Sequence, residues 1–176
     1  ILAAYDFSAV RSIVDVGGGQ GALMAALLRA HAHLSAVIFD QSPPGDDARR
    51  QFLDSGIQAR ARFVQGDFFS AVPDGADLYL LKSIVHNWND SAAITILGNC
   101  RRAMPAHGRL LLAERVVPFG NARSEAKLFD INMLVTVGGQ ERTEAEYAAL
   151  LQAAGLEMAR AIPTGSPLSL VEAVPS

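Results

Sequence analysis

A cluster of four glycines, Gly17, Gly18, Gly19 and Gly21, constrains the fold of this chain more than any other feature. The cluster directly follows an apolar run over residues 12–16, which is typical of a buried strand. Glycine adopts the backbone angles of a sharp turn, and it lets backbone N–H groups come close to a ligand. A helix that begins at such a turn favours negative charge at its N-terminus. The cluster therefore predicts a strand, a turn and a helix that together bind a carboxylate or a phosphate.

Strand and helix patterns alternate along the rest of the chain. Further strands are predicted at 36–39, 62–65, 77–83 and 109–116, and helices at 22–30, at 46–54, after Asn89 or Asp90, and after a capping box of Thr143 and Glu146. Two final strands, 157–162 and 168–174, are joined by a short turn with no helix between them. We therefore expect one α/β domain over residues 1–176, a doubly wound, mostly parallel sheet with a C-terminal antiparallel hairpin.

The charge and composition of the chain argue against several classes of partner. The net charge is −3 and the 15 Lys and Arg residues are scattered, so no surface for nucleic acid is expected. The apolar runs are far shorter than the roughly 20 residues that span a bilayer, so no membrane segment is expected. Cys100 is the only cysteine, which predicts a reducing compartment, most simply the cytoplasm. Because 50% of the residues are hydrophobic and 19% charged, some apolar surface is expected to meet something outside this chain.

Three acids, Asp15, Asp40 and Asp67, lie at the ends of successive predicted strands. The carboxyl ends of parallel strands form the ligand-binding edge of an open α/β sheet. Asp40 is placed to take the hydroxyls of a ribose, and Asp67, followed by Phe68, combines a carboxylate with an aromatic surface that suits adenine. These residues predict an adenosyl ligand. The glycine turn also fits the dinucleotide fingerprint of nicotinamide-dependent oxidoreductases, so the chemistry stays open at this point.

His86 lies just beyond the central strand 77–83, near the only tryptophan, Trp88. A neutral imidazole at pH 7 acts as a general base when a carboxylate holds its other ring nitrogen and stabilises the imidazolium that forms. Glu114, near the end of the fifth strand, is the best placed partner, and Glu141, on an edge loop, is the second candidate. The sequence therefore predicts a histidine base that is oriented by a carboxylate.

As a set, these residues resemble the S-adenosylmethionine-dependent O-methyltransferases of the plant-phenolic and bacterial natural-product type, which methylate small hydroxylated molecules. The resemblance covers nearly the whole chain, in segments 5–8, 14–21, 66–69, 81–90, 130–134 and 138–143. Many methyltransferases share the glycine turn, whereas His86-x-Trp88 together with Gly139-x-Glu141-Arg142-Thr143 is much more specific. The resemblance implies a Rossmann-like methyltransferase fold, S-adenosylmethionine as methyl donor, and a small hydroxylated acceptor that is aromatic or polycyclic.

The resemblance also implies roles for individual residues. His86 would be the general base, and Glu114 and Glu141 the acids that flank and orient it. The cofactor-binding prediction comprises Asp15, Gly17, Gly19, Asp40, Gln41, Asp67, Phe68, Lys82 and Trp88. The acceptor-facing prediction comprises Phe129, Asn132, Met133 and Thr136. The amides of the glycine turn would hold the methionine carboxylate of the cofactor, and no metal is needed.

The chain departs from the family pattern in two places. Many relatives carry His-Asp-Trp where this chain has His86-Asn87-Trp88, which removes a negative charge beside the base, and residues 41–43 read Gln-Ser-Pro in place of the usual Leu-Pro pair. Full-length relatives also have an N-terminal helical dimerisation domain that walls the acceptor pocket, and this sequence starts at the edge of the catalytic domain. We therefore expect a homodimer in the full-length protein. An NAD(P)-dependent oxidoreductase domain and a non-catalytic relative that binds an adenosyl ligand stay open as alternatives.

Overall fold

A computed structural model describes residues 1–54, 56–121 and 123–176 of the chain. Within these ranges the strands are β1 Ser12–Val16, β2 Ser35–Asp40, β3 Ala61–Gln65, β4 Leu78–Lys82, β5 Arg109–Glu114, β6 Val116–Val117, β7 Arg142–Thr143, β8 Leu156–Pro163 and β9 Ser169–Pro175. The α-helices in the same ranges are α1 Ala22–Ala30, α2 Asp46–Asp54, α3 Asp90–Ala103, α4 Glu125–Thr136 and α5 Glu144–Ala153. Short 3₁₀ helices cover Gln58–Arg60 and Val85–Asn87.

Seven of the described strands form one sheet in the order β3-β2-β1-β4-β5-β9-β8. The strands from β3 to β5 are parallel, whereas β9 runs antiparallel to both β5 and β8. This topology confirms the predicted doubly wound, mostly parallel sheet with a C-terminal hairpin. The strand order reverses between β1 and β4, and ligands of open α/β sheets bind at the carboxyl edge of such a reversal. The glycine turn after β1 and the segment after β4 lie at this edge.

Apolar side chains cover both faces of the sheet. On one face, α3 and α5 pack against the strands through residues such as Leu97 and Leu151. On the other face, α1 and the N-terminal segment pack through residues such as Leu27 and Phe7. The first four residues of β4 are buried. Because strands of this kind have cover on both sides, their sequences form continuous apolar runs instead of alternating with polar residues.

The predicted ends of two helices are confirmed by their caps. The side chain of Asn89 accepts a hydrogen bond from the N–H of Ala92 and caps α3. Thr143 and Glu146 form the predicted capping box at the start of α5, and Gly155, with a φ of +78°, follows its C-cap. These local signals need only a few neighbouring residues, which is why the sequence predicts them well.

One predicted strand is wrong at its end, and this changes the site. The sequence predicts a single strand over residues 109–116, but β5 ends at Glu114 and Val116 belongs to β6. β6 pairs in parallel with β7 in a separate two-stranded sheet, with Val116 opposite Arg142. The sequence does not reveal where the chain leaves one sheet for the other, since the residues of β6 are half-buried and resemble a continuation of the buried strand β5. The break brings the residues after β5 next to the loop that carries Glu141.

Cys100 lies on the buried face of α3 with Ala93, Leu97 and Met104. Burial raises the pKa of its thiol to about 12, so it is an inert core residue. None of the helices in the described ranges combines the length and the apolar character that crossing a membrane requires.

Candidate active site

The turn between β1 and α1 needs its glycines for two different reasons. Gly17 has a φ of +73°, and a Cβ there would lie 2.3 Å from Cδ1 of Ile84 on the segment after β4. Gly18 has an ordinary φ, but a Cβ would lie 2.6 Å from Oδ2 of Asp15. The turn therefore packs closely against the end of β4 and against a buried carboxylate.

The amides of this turn bond to the end of β2. The N–H groups of Gly17 and Gly18 donate to the carbonyl of Phe39, at 2.8 Å and 3.2 Å, and that of Gly19 donates to Oδ2 of Asp40 at 2.9 Å. Three of the four glycine amides are thus used to tie the turn to the end of β2. Because β2 lies close enough to provide these acceptors, the three amides already have partners, and their binding of a ligand carboxylate stays a prediction.

A cavity of about 430 Å³ opens beside the turn. Its lining consists of Asp15, Gly17, Gly18, Gln20, Ala22, Leu23 and Lys82. No side chain caps the N-terminus of α1, so the first N–H groups of the helix favour an anion at this end. Lys82 supplies a positive charge on the opposite wall. The helix N-terminus and Lys82 together can therefore hold the carboxylate that was assigned to the glycine amides.

Asp15 is almost fully buried at the base of this cavity, with 3% of its surface exposed. Burial raises the pKa of its carboxyl to about 7, Lys82 opposes the rise, and Asp40 adds to it. Asp15 therefore differs from the two other predicted acids, which lie nearer to solvent. Its carboxylate packs against the turn at Gly18.

Asp40 and Asp67 lie at or just after the ends of neighbouring strands. The side chain of Gln41, the residue after Asp40, bonds to Asp67. Oδ1 of Asp40 accepts from the N–H of Ser42 at 3.0 Å. Oδ1 of Asp67 accepts from Nε2 of Gln41 at 3.0 Å and from the N–H of Phe69 at 3.0 Å, and these bonds lower the pKa of the Asp67 carboxyl. A side-chain amide on the residue after the predicted ribose acid therefore bonds to the predicted adenine acid.

Aromatic side chains lie next to Asp67. The ring centroids of Phe69 and Trp88 are 4.8 Å apart and the rings are perpendicular. Phe68 is 6% exposed and packs into the core, and its carbonyl accepts a hydrogen bond from the buried Asn99. The three aromatic residues and Asp67 therefore come together, as expected for an adenine site, with Phe69 joining the predicted Phe68 and Trp88.

His86 lies in the 3₁₀ helix after β4, with both predicted acids on the same ring nitrogen. Nδ1 is 3.0 Å from Oε1 of Glu141 and 3.6 Å from Oε2 of Glu114. The order of the two acids differs from the sequence expectation, because Glu114 uses Oε1 to accept from the N–H groups of Ile84 and Val85 at 2.9 Å and 2.8 Å. Glu114 therefore fixes the backbone that precedes the base, and Glu141 makes the direct hydrogen bond.

The electrostatics of this group follow from its burial. Burial alone would lower the pKa of His86, but the hydrogen bond to Glu141 and the charges of Glu114 and Glu141 outweigh it and raise the pKa. Burial raises the pKa of Glu114 to about 7. Oε2 of Glu114 and Oε2 of Glu141 are buried without a hydrogen-bond partner. With Nδ1 donating to Glu141, the lone pair of the imidazole lies on Nε2, and the two acids stabilise the imidazolium that forms when Nε2 takes a proton.

The same three side chains are close enough to share a cation, since one ligand atom from each lies within 4.8 Å of the others. The sequence did not predict a shared cation here, because Glu141 follows His86 by 55 residues and no metal-ligand spacing is visible in the sequence. The arrangement also has a complete explanation without an ion, in which both acids face a base that becomes positively charged.

The four residues predicted to face the acceptor all lie on α4. Met133 is 7% exposed, whereas Phe129 is 40% exposed, and the guanidinium of Arg115 lies 3.7 Å from the centroid of the Phe129 ring. Asn132 and Thr136 are exposed and are joined by a bond from the Thr136 hydroxyl to the Asn132 carbonyl. Their spacing gives them one helix face.

Two residues that bond to the segments carrying His86 and Glu141 were missed as site residues. Asp130 on α4 accepts a hydrogen bond from the N–H of Glu141 at 2.8 Å. Arg142 is 1% exposed and bonds to the backbone around His86. Both belong to segments that carried the family resemblance. The sequence signal that could have indicated Arg142 is its place just after Gly138-Gly139 in a chain with few charged residues.

Comparison with known proteins agrees with this geometry. A family described as an O-methyltransferase domain matches residues 1–157. A phenazine O-methyltransferase, PhzM, of Lysobacter antibioticus is 43% identical over 175 residues, which are 99% of this chain and 51% of that protein. Aclacinomycin 10-hydroxylase RdmB of Streptomyces purpurascens is 41% identical over 165 residues, 93% of this chain and 44% of that protein. The chain thus spans about half the length of the curated relatives that it matches.

Solved structures give the same picture. The structure described as LaPhzM has a TM-score of 0.93 and 43% identity, over 99% of this chain and 53% of that one. An O-methyltransferase of neocarzinostatin biosynthesis, NcsB1, in complex with S-adenosylmethionine and 2-hydroxy-5-methyl naphthoic acid, has a TM-score of 0.89 and 39% identity, over 99% of this chain and 52% of that one.

Proposed function

We propose that this chain, which belongs to the O-methyltransferase domain family, binds S-adenosylmethionine and transfers its methyl group to a hydroxyl of a small aromatic or polycyclic acceptor. The observation that carries the proposal is the hydrogen bond between the half-buried His86 and the buried Glu141, which leaves Nε2 of the imidazole for proton transfer. Membership of this family weighs against the nicotinamide-dependent alternative that the glycine turn alone left open.

The cavity beside the glycine turn supports S-adenosylmethionine as the cofactor. Lys82 and the N-terminus of α1 fit the methionine carboxylate, because both favour a negative charge. Asp40 fits the ribose hydroxyls, and Asp67 with the neighbouring aromatic rings fits adenine. The NcsB1 structure contains this cofactor, and its fold matches nearly all of this chain.

The chemistry asks little of the protein beyond alignment and removal of a proton. When bound, S-adenosylmethionine supplies a methyl group on a positively charged sulfur, and it leaves as the neutral thioether. The acceptor oxygen forms the new bond to the methyl carbon as the sulfur–carbon bond breaks. His86 takes the proton of the acceptor hydroxyl on Nε2, while Glu141 and Glu114 stabilise the positive imidazolium. No step needs a metal ion.

The acceptor class rests on the relatives and on α4. The matched relatives include a phenazine O-methyltransferase, and NcsB1 was solved with a naphthoic acid. Phe129, Asn132 and Thr136 offer an exposed surface with one aromatic ring and two polar side chains, with Met133 buried behind them, which suits a flat hydroxylated ring system. We therefore propose acceptors with fused or substituted aromatic rings.

The proposal is tested by His86→Ala in the full-length protein, with His107→Ala as control. His107 also pairs with a carboxylate, Asp77, at 3.2 Å, but it is exposed. We expect His86→Ala to lower methyl transfer by roughly 10²- to 10⁴-fold, the usual contribution of a positioned proton acceptor, with the Kd for S-adenosylmethionine nearly unchanged. His107→Ala should leave both unchanged. Unchanged methyl transfer by His86→Ala would contradict the assignment of His86 as the base.

A second candidate function is suggested by RdmB, a relative of similar identity that is named a hydroxylase. By that analogy this chain would hydroxylate its substrate instead of methylating it, and the non-catalytic alternative would do neither. Mass spectrometry of the product separates these cases, because methyl transfer adds one CH₂ and hydroxylation adds one oxygen. Retention of the His86, Glu114 and Glu141 group favours methyl transfer.

We also propose that residues 1–176 form the catalytic domain of a dimeric protein, with the acceptor pocket completed by an N-terminal helical domain. Large apolar side chains are exposed on and beside α4, namely Leu128, Ile131, Leu134, Val135 and Val137. A surface of this kind needs a cover in solution. The single buried Cys100 keeps the cytoplasm as the expected compartment.

A further inference from the structure

Arg142 makes contacts that the proposed chemistry does not yet use. Nη1 donates to the carbonyl of Val85 at 3.2 Å, and Nη2 donates to the carbonyl of Trp88 at 2.8 Å. The guanidinium therefore bonds to the backbone on both sides of His86. Nε and Nη2 also donate to Oδ1 of Asp90, at 3.1 Å and 2.8 Å. One side chain thus holds the segment from Val85 to Asp90, which we call the base segment, at three points.

Arg142 is itself part of the segment that carries Glu141, from Gly139 to Arg142, which we call the acid segment. The two segments also meet through their backbones, since the N–H of Gln140 donates to the carbonyl of His86 at 2.9 Å. A Cβ on Gly139 would lie 2.1 Å from that same carbonyl oxygen. Close packing at Gly139 therefore limits how closely the two segments can approach each other, and the hydrogen bonds of the Arg142 guanidinium hold them together.

We infer that Arg142 is a positioning residue, which holds the base segment against the acid segment and thereby sets the distance between Nδ1 of His86 and Oε1 of Glu141. The inference rests on the proposed function, because it matters only if His86 is the base. Arginine suits this task, since its planar group directs donors in several fixed directions, whereas lysine presents one nitrogen. Small misplacements of catalytic groups are costly, and about 1 Å is enough for roughly a 10²-fold loss of rate.

The test compares Arg142→Lys with Arg60→Lys in the full-length protein. Arg60 is a matched control, because its guanidinium also holds three backbone carbonyls, those of Leu28, His31 and Leu34, at the end of α1. Both variants are expected to lower Tm. Arg142→Lys should also lower kcat by roughly 10- to 100-fold with an unchanged Kd for S-adenosylmethionine, whereas Arg60→Lys should leave kcat unchanged.

A double-mutant cycle tests whether Arg142 acts through the His86–Glu141 pair. If it does, Arg142→Lys lowers kcat by less than about threefold in a protein that already carries Glu141→Ala. The Nδ1 proton of His86 gives a readout that needs no acceptor, since its downfield NMR signal in protein labelled with ¹⁵N-histidine reports the bond to Glu141. We expect that signal to move upfield or to disappear in Arg142→Lys and to stay in Arg60→Lys.

The outcomes separate this inference from the proposed function. An unaltered NMR signal, an unaltered kcat, or fully multiplicative losses in the cycle would each overturn the role of Arg142, even where His86→Ala is inactive. An active His86→Ala protein would overturn the base assignment instead. If Arg142→Lys does not fold, Gly139→Ala forces the same two segments apart with Arg142 in place. It should shift the same NMR signal, and an unchanged signal would count against the inference.

Discussion

At the scale of single residues, the pKa of His86 decides at which pH the proposed base can accept a proton. The hydrogen bond to Glu141 and the charges of Glu114 and Glu141 raise this pKa despite burial, and only the neutral imidazole accepts a proton. We therefore expect kcat/KM to fall as the pH is lowered through the raised pKa. Glu141→Gln removes one charge, so the midpoint of this fall should move to lower pH. The pH–rate profiles of both proteins measure it, and coincident midpoints would contradict the prediction.

The clustering of His86 with two acids makes the question of a metal testable. Their geometry permits a shared cation, but proton transfer to Nε2 needs none. We expect turnover to persist after exhaustive treatment with EDTA and removal of the chelate. Loss of activity that added magnesium or zinc restores would show that this prediction is wrong.

Asp40 is expected to contribute most of the ribose affinity. Asp40→Ala removes a charged acceptor for two hydroxyls, which should weaken binding of S-adenosylmethionine by about 1.5 to 3 kcal/mol, roughly ten- to hundredfold. Titration calorimetry measures the loss, and Asp74→Ala, at an exposed position, is the control. Because Asp40 also accepts from the N–H of Gly19, unchanged affinity together with a lowered Tm would leave it only a structural role.

At the scale of elements, the turn between β1 and α1 shows how two glycines with similar backbones differ. Gly17 and Gly19 both have positive φ, but a Cβ on Gly19 would meet nothing within 4 Å, whereas one on Gly17 would displace Ile84. Gly19→Ala should cost about 1 to 2 kcal/mol of unfolding free energy from the backbone alone. Gly17→Ala should cost about 1 to 3 kcal/mol more, because overpacking adds to the strain. Urea denaturation of both variants decides, and equal losses would refute the packing explanation.

At the scale of the whole molecule, the exposed apolar side of α4 leads us to expect that cofactor binding and methyl transfer have different requirements. The proposed cofactor residues lie on β1 to β4 and the segments after them, within this chain, whereas one wall of the acceptor pocket is proposed to lie in another domain. We expect residues 1–176 alone to bind S-adenosylmethionine with weak or absent turnover. Assays of this segment and of the full-length protein with 1,4-dihydroxy-2-naphthoic acid and hydroxyphenazines check this. Equal rates of methyl transfer would contradict the proposal that another domain completes the acceptor pocket.

The sequence by itself determined the strands β1 to β4, the helices α1, α2, α3 and α5, the C-terminal hairpin and the edge of the sheet that carries the site, but it did not predict α4, β6 or β7. The glycine turn, the capping box at Thr143 and the acids at strand ends depend on a few neighbouring residues, and such local patterns survive in any tertiary context. The resemblance then supplied His86, Glu114 and Glu141 as a set.

Only the tertiary structure decided which groups those residues contact. Gly17 and Gly18 donate to Phe39 because β2 lies beside β1, and Glu141 displaces Glu114 as the direct partner of His86 because the backbone after β4 occupies one oxygen of Glu114. The end of β5 and the burial of Arg142 likewise depend on β6 and β7, which pair across 26 residues of chain. Hydrogen bonds and packing between distant segments are set by three-dimensional proximity, which no local pattern encodes.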